Sequence, residues 1–122
     1  SRRKNALYFK DLFDNNENFI IQKENDCSSW FGFSIILKNK LDNKRTMILN
    51  ELEAKGIETR PIVSGNYLKN PSIKYLDHSV YGGLENSEAI DRNGFFVGNN
   101  HQDLKFQIQH LRYVIEGLLK KI

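Results

Sequence analysis

The chain has a single cysteine, Cys27, in 122 residues, so it forms no internal disulfide. It has two prolines, Pro61 and Pro71, and no low-complexity linker or internal repeat. No apolar run approaches the roughly 20 residues that a membrane-spanning helix needs, and no signal-peptide pattern is present. Basic residues (18) barely outnumber acidic ones (15), and no dense Lys/Arg block marks a nucleic-acid footprint. His78, His101 and His110 stand at no ligand spacing with one another or with Cys27, which argues against a structural metal. Glycine-rich phosphate loops, nucleophile elbows and zinc-protease signatures are missing as well. What remains suits a globular domain: 39% hydrophobic residues, 11% aromatic, and a length that holds one core.

Hydrophobic spacing divides the chain into short elements. Ala6, Leu7, Phe9, Leu12 and Phe13 predict an amphipathic helix over 1–13, ended by Asp14-Asn15-Asn16. Phe19-Ile20-Ile21 reads as a short strand. Over 30–37, Phe31, Phe33, Ile35 and Leu37 alternate with Gly32, Ser34 and Ile36, the strongest strand pattern present. Gly32 offers no side chain there, so either a neighbour approaches its backbone closely or, the plainer reading, it leaves a simple packing gap. Asp42 is placed to cap a helix running to Lys55 on a stripe of Ile48, Leu49 and Leu52. Ser87 is placed to cap another through Asn93, with Gly94 as its stop. Phe95-Phe96-Val97 is a compact strand, and Leu104, Ile108, Leu111, Ile115 and Leu118 predict the final helix. Lys120 and Lys121 complement its dipole. Phe31, Phe33, Leu52, Phe96, Leu111 and Ile115 are the predicted core. The order of elements is that of an α+β domain, a small mixed or antiparallel sheet covered by helices, over 1–122. The chain opens inside a helix, as a fragment of a longer protein would.

The stretch Gly56-Ile57-Glu58-Thr59-Arg60-Pro61-Ile62-Val63-Ser64-Gly65-Asn66 is the one most suited to holding a ligand. Gly56 closes the preceding helix, and β-favouring residues then predict a strand in which Glu58 and Arg60 share one face. Pro61 cannot donate to a ladder, which makes this an edge or an exit. Ser64, Gly65 and Asn66 then offer a hydroxyl, a permissive backbone and an amide. A solvated Glu58–Arg60 pair on an ordinary strand is the plain alternative. His101 follows a predicted strand beside Asn99 and Asn100, where a loop side chain can face a ligand. Nowhere do a nucleophile, a base and an orienting group come together, so no catalytic residue is assigned.

These residues resemble a known family. The Gly56–Asn66 stretch, Asn70-Pro71, and Asn93-Gly94-Phe95-Phe96-Val97-Gly98-Asn99 are similar to the C-terminal portion of the DegT/DnrJ/EryC1/StrS family. So are Arg2-Arg3-Lys4-Asn5-Ala6, Ser29-Trp30-Phe31-Gly32-Phe33 and Leu111-Arg112-Tyr113-Val114-Ile115. The resemblance implies the small domain of a fold-type I pyridoxal-phosphate (PLP) enzyme, an aminotransferase or 3-dehydratase of nucleotide-linked keto-deoxysugars in lipopolysaccharide biosynthesis. It implies that the cofactor-bearing lysine, or the histidine replacing it in dehydratases, lies in an N-terminal domain outside this chain. It further implies a cytoplasmic homodimer, with glutamate as the amino donor in the transaminating branch. Glu58, Arg60, Ser64, Gly65, Asn66 and His101 are then the expected substrate-facing residues. Two other classes stay open: a non-catalytic interaction or regulatory domain of that descent, and a small nucleic-acid module suggested by Tyr67, Tyr75 and Tyr81.

Overall fold

Leu111, Ile115, Ile108 and Leu118 form one buried stripe on the last helix, and the rest of the domain packs around it. The computed structural model describes residues 1–122. In chain order the elements are α1 (Arg2–Phe13), β1 (Phe19–Ile21), β2 (Gly32–Leu37), α2 (Arg45–Ala54), α3 (Glu85–Asn93), β3 (Gly94–Gly98) and α4 (Lys105–Leu119). Single turns of 3-10 helix at Asn39–Leu41, Tyr67–Lys69 and Pro71–Tyr75 fill the connections. The α+β expectation holds, and the sheet is antiparallel throughout in the order β1-β2-β3. No helix is long and apolar enough to cross a membrane.

One sheet face makes the core. The register sets Phe19 against Leu37, Ile35 against Phe95 and Phe33 against Val97, and all six side chains are buried. Helix α4 lies against both α1 and α2, completing the core. At its centre Phe9 stacks on Phe13 and on Phe33, each pair with ring centroids 4.5 Å apart. Offset stacking of this kind adds to the burial energy of the rings.

Two residues of the predicted core lie elsewhere. Phe31 is 76% exposed, because Trp30 adopts a left-handed backbone (φ 51°) that reverses the alternation at the strand entrance. Trp30 enters the core in its place. Phe96 stands on the opposite sheet face from Phe95 and Val97, as period-two geometry requires once those two are inward. It rests beside Phe31 with centroids 5.9 Å apart. Gly32 pairs with Gly98 at this point. A Cβ on Gly32 would sit 2.7 Å from the Phe96 ring and 2.8 Å from the Val97 carbonyl oxygen, so the position is a close approach and not the plainer packing gap.

Two predicted caps also differ. Helix α2 begins at Arg45 rather than after Asp42, because Asp42 accepts a 2.6 Å hydrogen bond from the Asn93 amide instead. Helix α3 begins at Glu85, two residues before Ser87, and Leu84 at its start makes no side-chain cap. Gly94 ends it as expected and opens β3.

Candidate functional site: an open cleft on the outer sheet face

Alternation along β2 and β3 leaves Ser34 and Phe96 on the face away from the core. Toward the Gly94 end that face is closed, since a Cβ on Gly94 would meet the Ile90 carbonyl oxygen and the Ile62 side chain. The other end is open. An open cleft of about 920 Å³ lies there, floored by Gly32, Ser34 and Phe96 and walled by Glu58, Arg60 and Phe31.

The predicted strand over 57–63 is reduced to one antiparallel bridge between Arg60 and Phe96. Arg60 N–H donates to the Phe96 carbonyl at 2.9 Å, and Phe96 N–H donates back at 2.8 Å. Pro61 has no N–H to extend the ladder, and Val63 (φ 46°) turns the chain away. The alternation was nevertheless right: Ile57 and Thr59 are half-buried while Glu58 and Arg60 are exposed together. Their side chains form an ion pair at the cleft wall. With side chains 65% and 76% exposed, that pair contributes little to stability. Its geometry matters more. The backbone bridge fixes the position from which Arg60 extends a planar guanidinium, whose two-pronged face suits a phosphate or carboxylate.

Ser64, Gly65 and Asn66 do not join this wall. Gly65 backs onto Asp91 of α3, and Ser64 is exposed on the turn. Asn66 is buried and fully employed. Its Oδ1 caps the following 3-10 turn at Leu68 N–H (3.1 Å), and its Nδ2 donates to Glu88 at 2.5 Å. His101 is exposed in the loop after β3 and lines no part of the cleft. The structure thus brings Glu58 and Arg60 together and sets the other four expected residues apart from them.

Sequence reasoning missed the residues that hold the cleft's far wall. Asn5 is 3% exposed, and its Nδ2 donates to Gln102 O (2.8 Å) and Asn99 Oδ1 (3.0 Å) while its Oδ1 accepts from Leu104 N–H (3.1 Å). The Asn99 amide in turn donates to the carbonyls of Arg2 (3.0 Å) and Trp30 (2.9 Å). Three of the separated blocks that carry the family resemblance meet at this one amide. An asparagine placed just past a strand is the only signal the sequence offers, and it does not name its partners.

Beside the site, Lys69 bridges Glu88 (2.8 Å) and Asp91 (3.2 Å), docking the loop onto α3. The Lys69 ammonium, then the Asn66 amide, hold the Glu88 carboxyl below its usual range. The Asn66 backbone N–H, then Lys69, do the same for Asp91, and Glu88 chiefly raises Lys69. Depressed carboxylates contribute stability above their unfolded values and lose it as pH falls through the folded ones. The docking should therefore weaken below about pH 4. Carboxyl NMR titration should place both midpoints below those of free side chains, and Lys69→Ala should raise them. Midpoints that Lys69→Ala leaves unmoved would contradict the bridge.

The sequence profile of the DegT/DnrJ/EryC1/StrS aminotransferase family matches residues 1–117. The chain belongs to that family. Within the DegT/DnrJ/EryC1/StrS family it is 45% identical, over 116 residues, to the GDP-4-keto-6-deoxy-D-mannose 3-dehydratase of Escherichia coli O55:H7. That match covers 94% of this chain and 30% of the relative. The solved structure of an E. coli GDP-4-keto-6-deoxy-D-mannose 3-dehydratase with bound hydrated PLP superposes with a TM-score of 0.86 at 46% identity. It covers 93% of this chain and 29% of that one. A second GDP-4-keto-6-deoxymannose 3-dehydratase structure, holding a trapped PLP-glutamate geminal diamine, matches with a TM-score of 0.85 at 45% identity, covering 93% and 30%. This chain thus spans about 30% of the length of the relatives it matches.

The residues of the cleft do not by themselves make a PLP site. They include one cation, Arg60, and no lysine or histidine. Nor do three His, Cys, Asp or Glu side chains converge anywhere to hold a metal ion.

Proposed function

We propose that this chain is the small, substrate-facing domain of a PLP-dependent 3-dehydratase acting on a nucleotide-linked 4-keto-6-deoxysugar. The observation that carries the reading is the cleft wall of Glu58 and Arg60, in a chain 45% identical to a dehydratase of that class. PLP, held by the remainder of the protein, would supply the electron sink for bond breaking next to the keto group. The residues here bind and orient. Arg60, fixed by its two backbone bonds to Phe96, would take the substrate diphosphate or the carboxylate of glutamate through parallel hydrogen bonds. Glu58 would keep the guanidinium aimed before the ligand arrives and then accept a sugar hydroxyl. The full-length protein would work in the cytoplasm as a homodimer, and the 122 residues alone would turn over no substrate. A transaminating relative would use the same wall, with glutamate as donor, differing in the residue that holds the cofactor.

In the full-length protein, Arg60→Ala should lower kcat/KM at least tenfold, the equivalent of about 1.4 kcal/mol in transition-state binding. Arg60→Lys should recover only part of this, since a point charge cannot reproduce the fork. Titrating nucleotide-sugar and glutamate separately assigns the ligand by which KM rises. Unchanged kinetics for both in Arg60→Ala would overturn the reading.

A further inference from the structure

Phe31 stands where its own sequence pattern would not put it. Period-two alternation with Phe33, Ile35 and Leu37 would send it into the core. Instead the left-handed Trp30 exchanges the two rings, leaving Trp30 at 2% exposure and Phe31 at 76%. A positive φ is unfavourable for a bulky residue and persists only where the surroundings over-determine it. Here they do. Trp30 N–H donates to Ser28 Oγ at 3.0 Å, and the Trp30 carbonyl accepts from the Asn99 amide at 2.9 Å. The Phe31 carbonyl accepts from Asn99 N–H at 3.2 Å. Apart from asparagines and glycines, the only other left-handed residue is Val63, which lines the same cleft. One strained position, Val63, lines the cleft, and the other, Trp30, immediately precedes Phe31, which lines it.

The product of that strain is an exposed aromatic wall, the Phe31 ring, tilted 51° from the Phe96 ring of the floor and lining the opening that Arg60 also lines. Arg60 sits on the edge segment beyond β3, while Phe31 leads into β2. Arg60 bridges Phe96, which pairs with Ser34, so the two backbones are two strand spacings apart across the sheet and three residues apart along it, roughly 14 Å in all. A lone phosphate or a lone hexose does not cover that span, whereas a diphosphate joined to an aromatic ring does.

We propose that Phe31 is a further binding residue of this cleft, the face on which the base of the nucleotide-sugar stacks while Arg60 holds the diphosphate. The inference rests on the nucleotide-sugar reading above. It adds a specificity element to it, since a substrate with the same sugar phosphate and no base would gain nothing from Phe31.

Calorimetric titration of the full-length, PLP-loaded protein with GDP and with inorganic pyrophosphate tests it. Stacking on an aromatic side chain sets the expected scale: Phe31→Ala should weaken GDP about 5- to 100-fold and leave pyrophosphate within twofold. Phe31→Tyr, which keeps a ring, should restore most of the GDP affinity. Arg60→Ala should weaken both ligands. GDP affinity within twofold of the parent in Phe31→Ala, with Arg60→Ala weakening both, overturns the stacking role and leaves the nucleotide-sugar reading standing. Equal loss of GDP and pyrophosphate in Phe31→Ala also overturns it, as does a fall in melting temperature or a change of assembly state with GDP affinity unmoved. The last result would make Phe31 an interface side chain. If the parent protein binds neither GDP nor pyrophosphate, both the inference and the reading beneath it fall.

Discussion

Phe33→Ala should cost the chain about 3–5 kcal/mol of stability, a large part of what a domain of this size has. Phe33 is 1% exposed, stacks on Phe9 at 4.5 Å and meets Trp30 at 6.2 Å. Removing the ring opens a void between sheet and α1 that neither the stacked Phe9 nor the clamped Trp30 can collapse to fill. Phe31→Ala, two residues away, should cost under about 1 kcal/mol, because little of that ring leaves water. Chemical denaturation of the two variants checks both values. Similar losses for the two would mean that the ring exchange at Trp30 is wrong.

Asn5→Ala should cost about 1–3 kcal/mol, a large amount for one polar residue on a helix. The mutation strands the buried Leu104 N–H and takes the donor from two part-buried acceptors, the Gln102 carbonyl and Asn99 Oδ1. Each orphaned group carries a penalty of about 1–3 kcal/mol, relieved where water enters. Asn5→Asp should be no better. It keeps the acceptor for Leu104 and turns a carboxylate toward oxygens that need a donor. Thermal unfolding of both variants decides the matter, and a loss under 1 kcal/mol for Asn5→Ala would show that the amide does not hold the junction.

What could be read from the residues was what local spacing controls. The stripes of α1 and α4, the strand at Phe19–Ile21, the helix stop at Gly56 (φ 77°) and the shared face of Glu58 and Arg60 all follow from chain geometry over a few residues. Misplaced residues had competing partners far along the chain. Asp42 could cap α2, yet Asn93, 51 residues on, takes it. Asn66 looked like a ligand amide and is instead held by Glu88 and its own turn. In Phe95-Phe96-Val97 all three side chains are apolar, so composition cannot say which two face inward. No pattern marks a tryptophan as left-handed. That conformation is imposed by Ser28 and Asn99, and it changed the cleft wall from polar to aromatic.

The Asn5 contacts reach 94 to 99 positions along the chain, nearly its whole length. During synthesis α1 therefore emerges well before the partners that hold it, and its Phe9 and Phe13 wait uncovered until β2 and then α4 arrive. Contacts closed over such separations form slowly and leave apolar surface open to aggregation meanwhile. Wear at the distal end has the same reach. A chain clipped shortly before Asn99 loses α4, the anchor of its first helix and the kink at Trp30 together, so the aromatic wall goes with the core although every residue that forms the wall is still present.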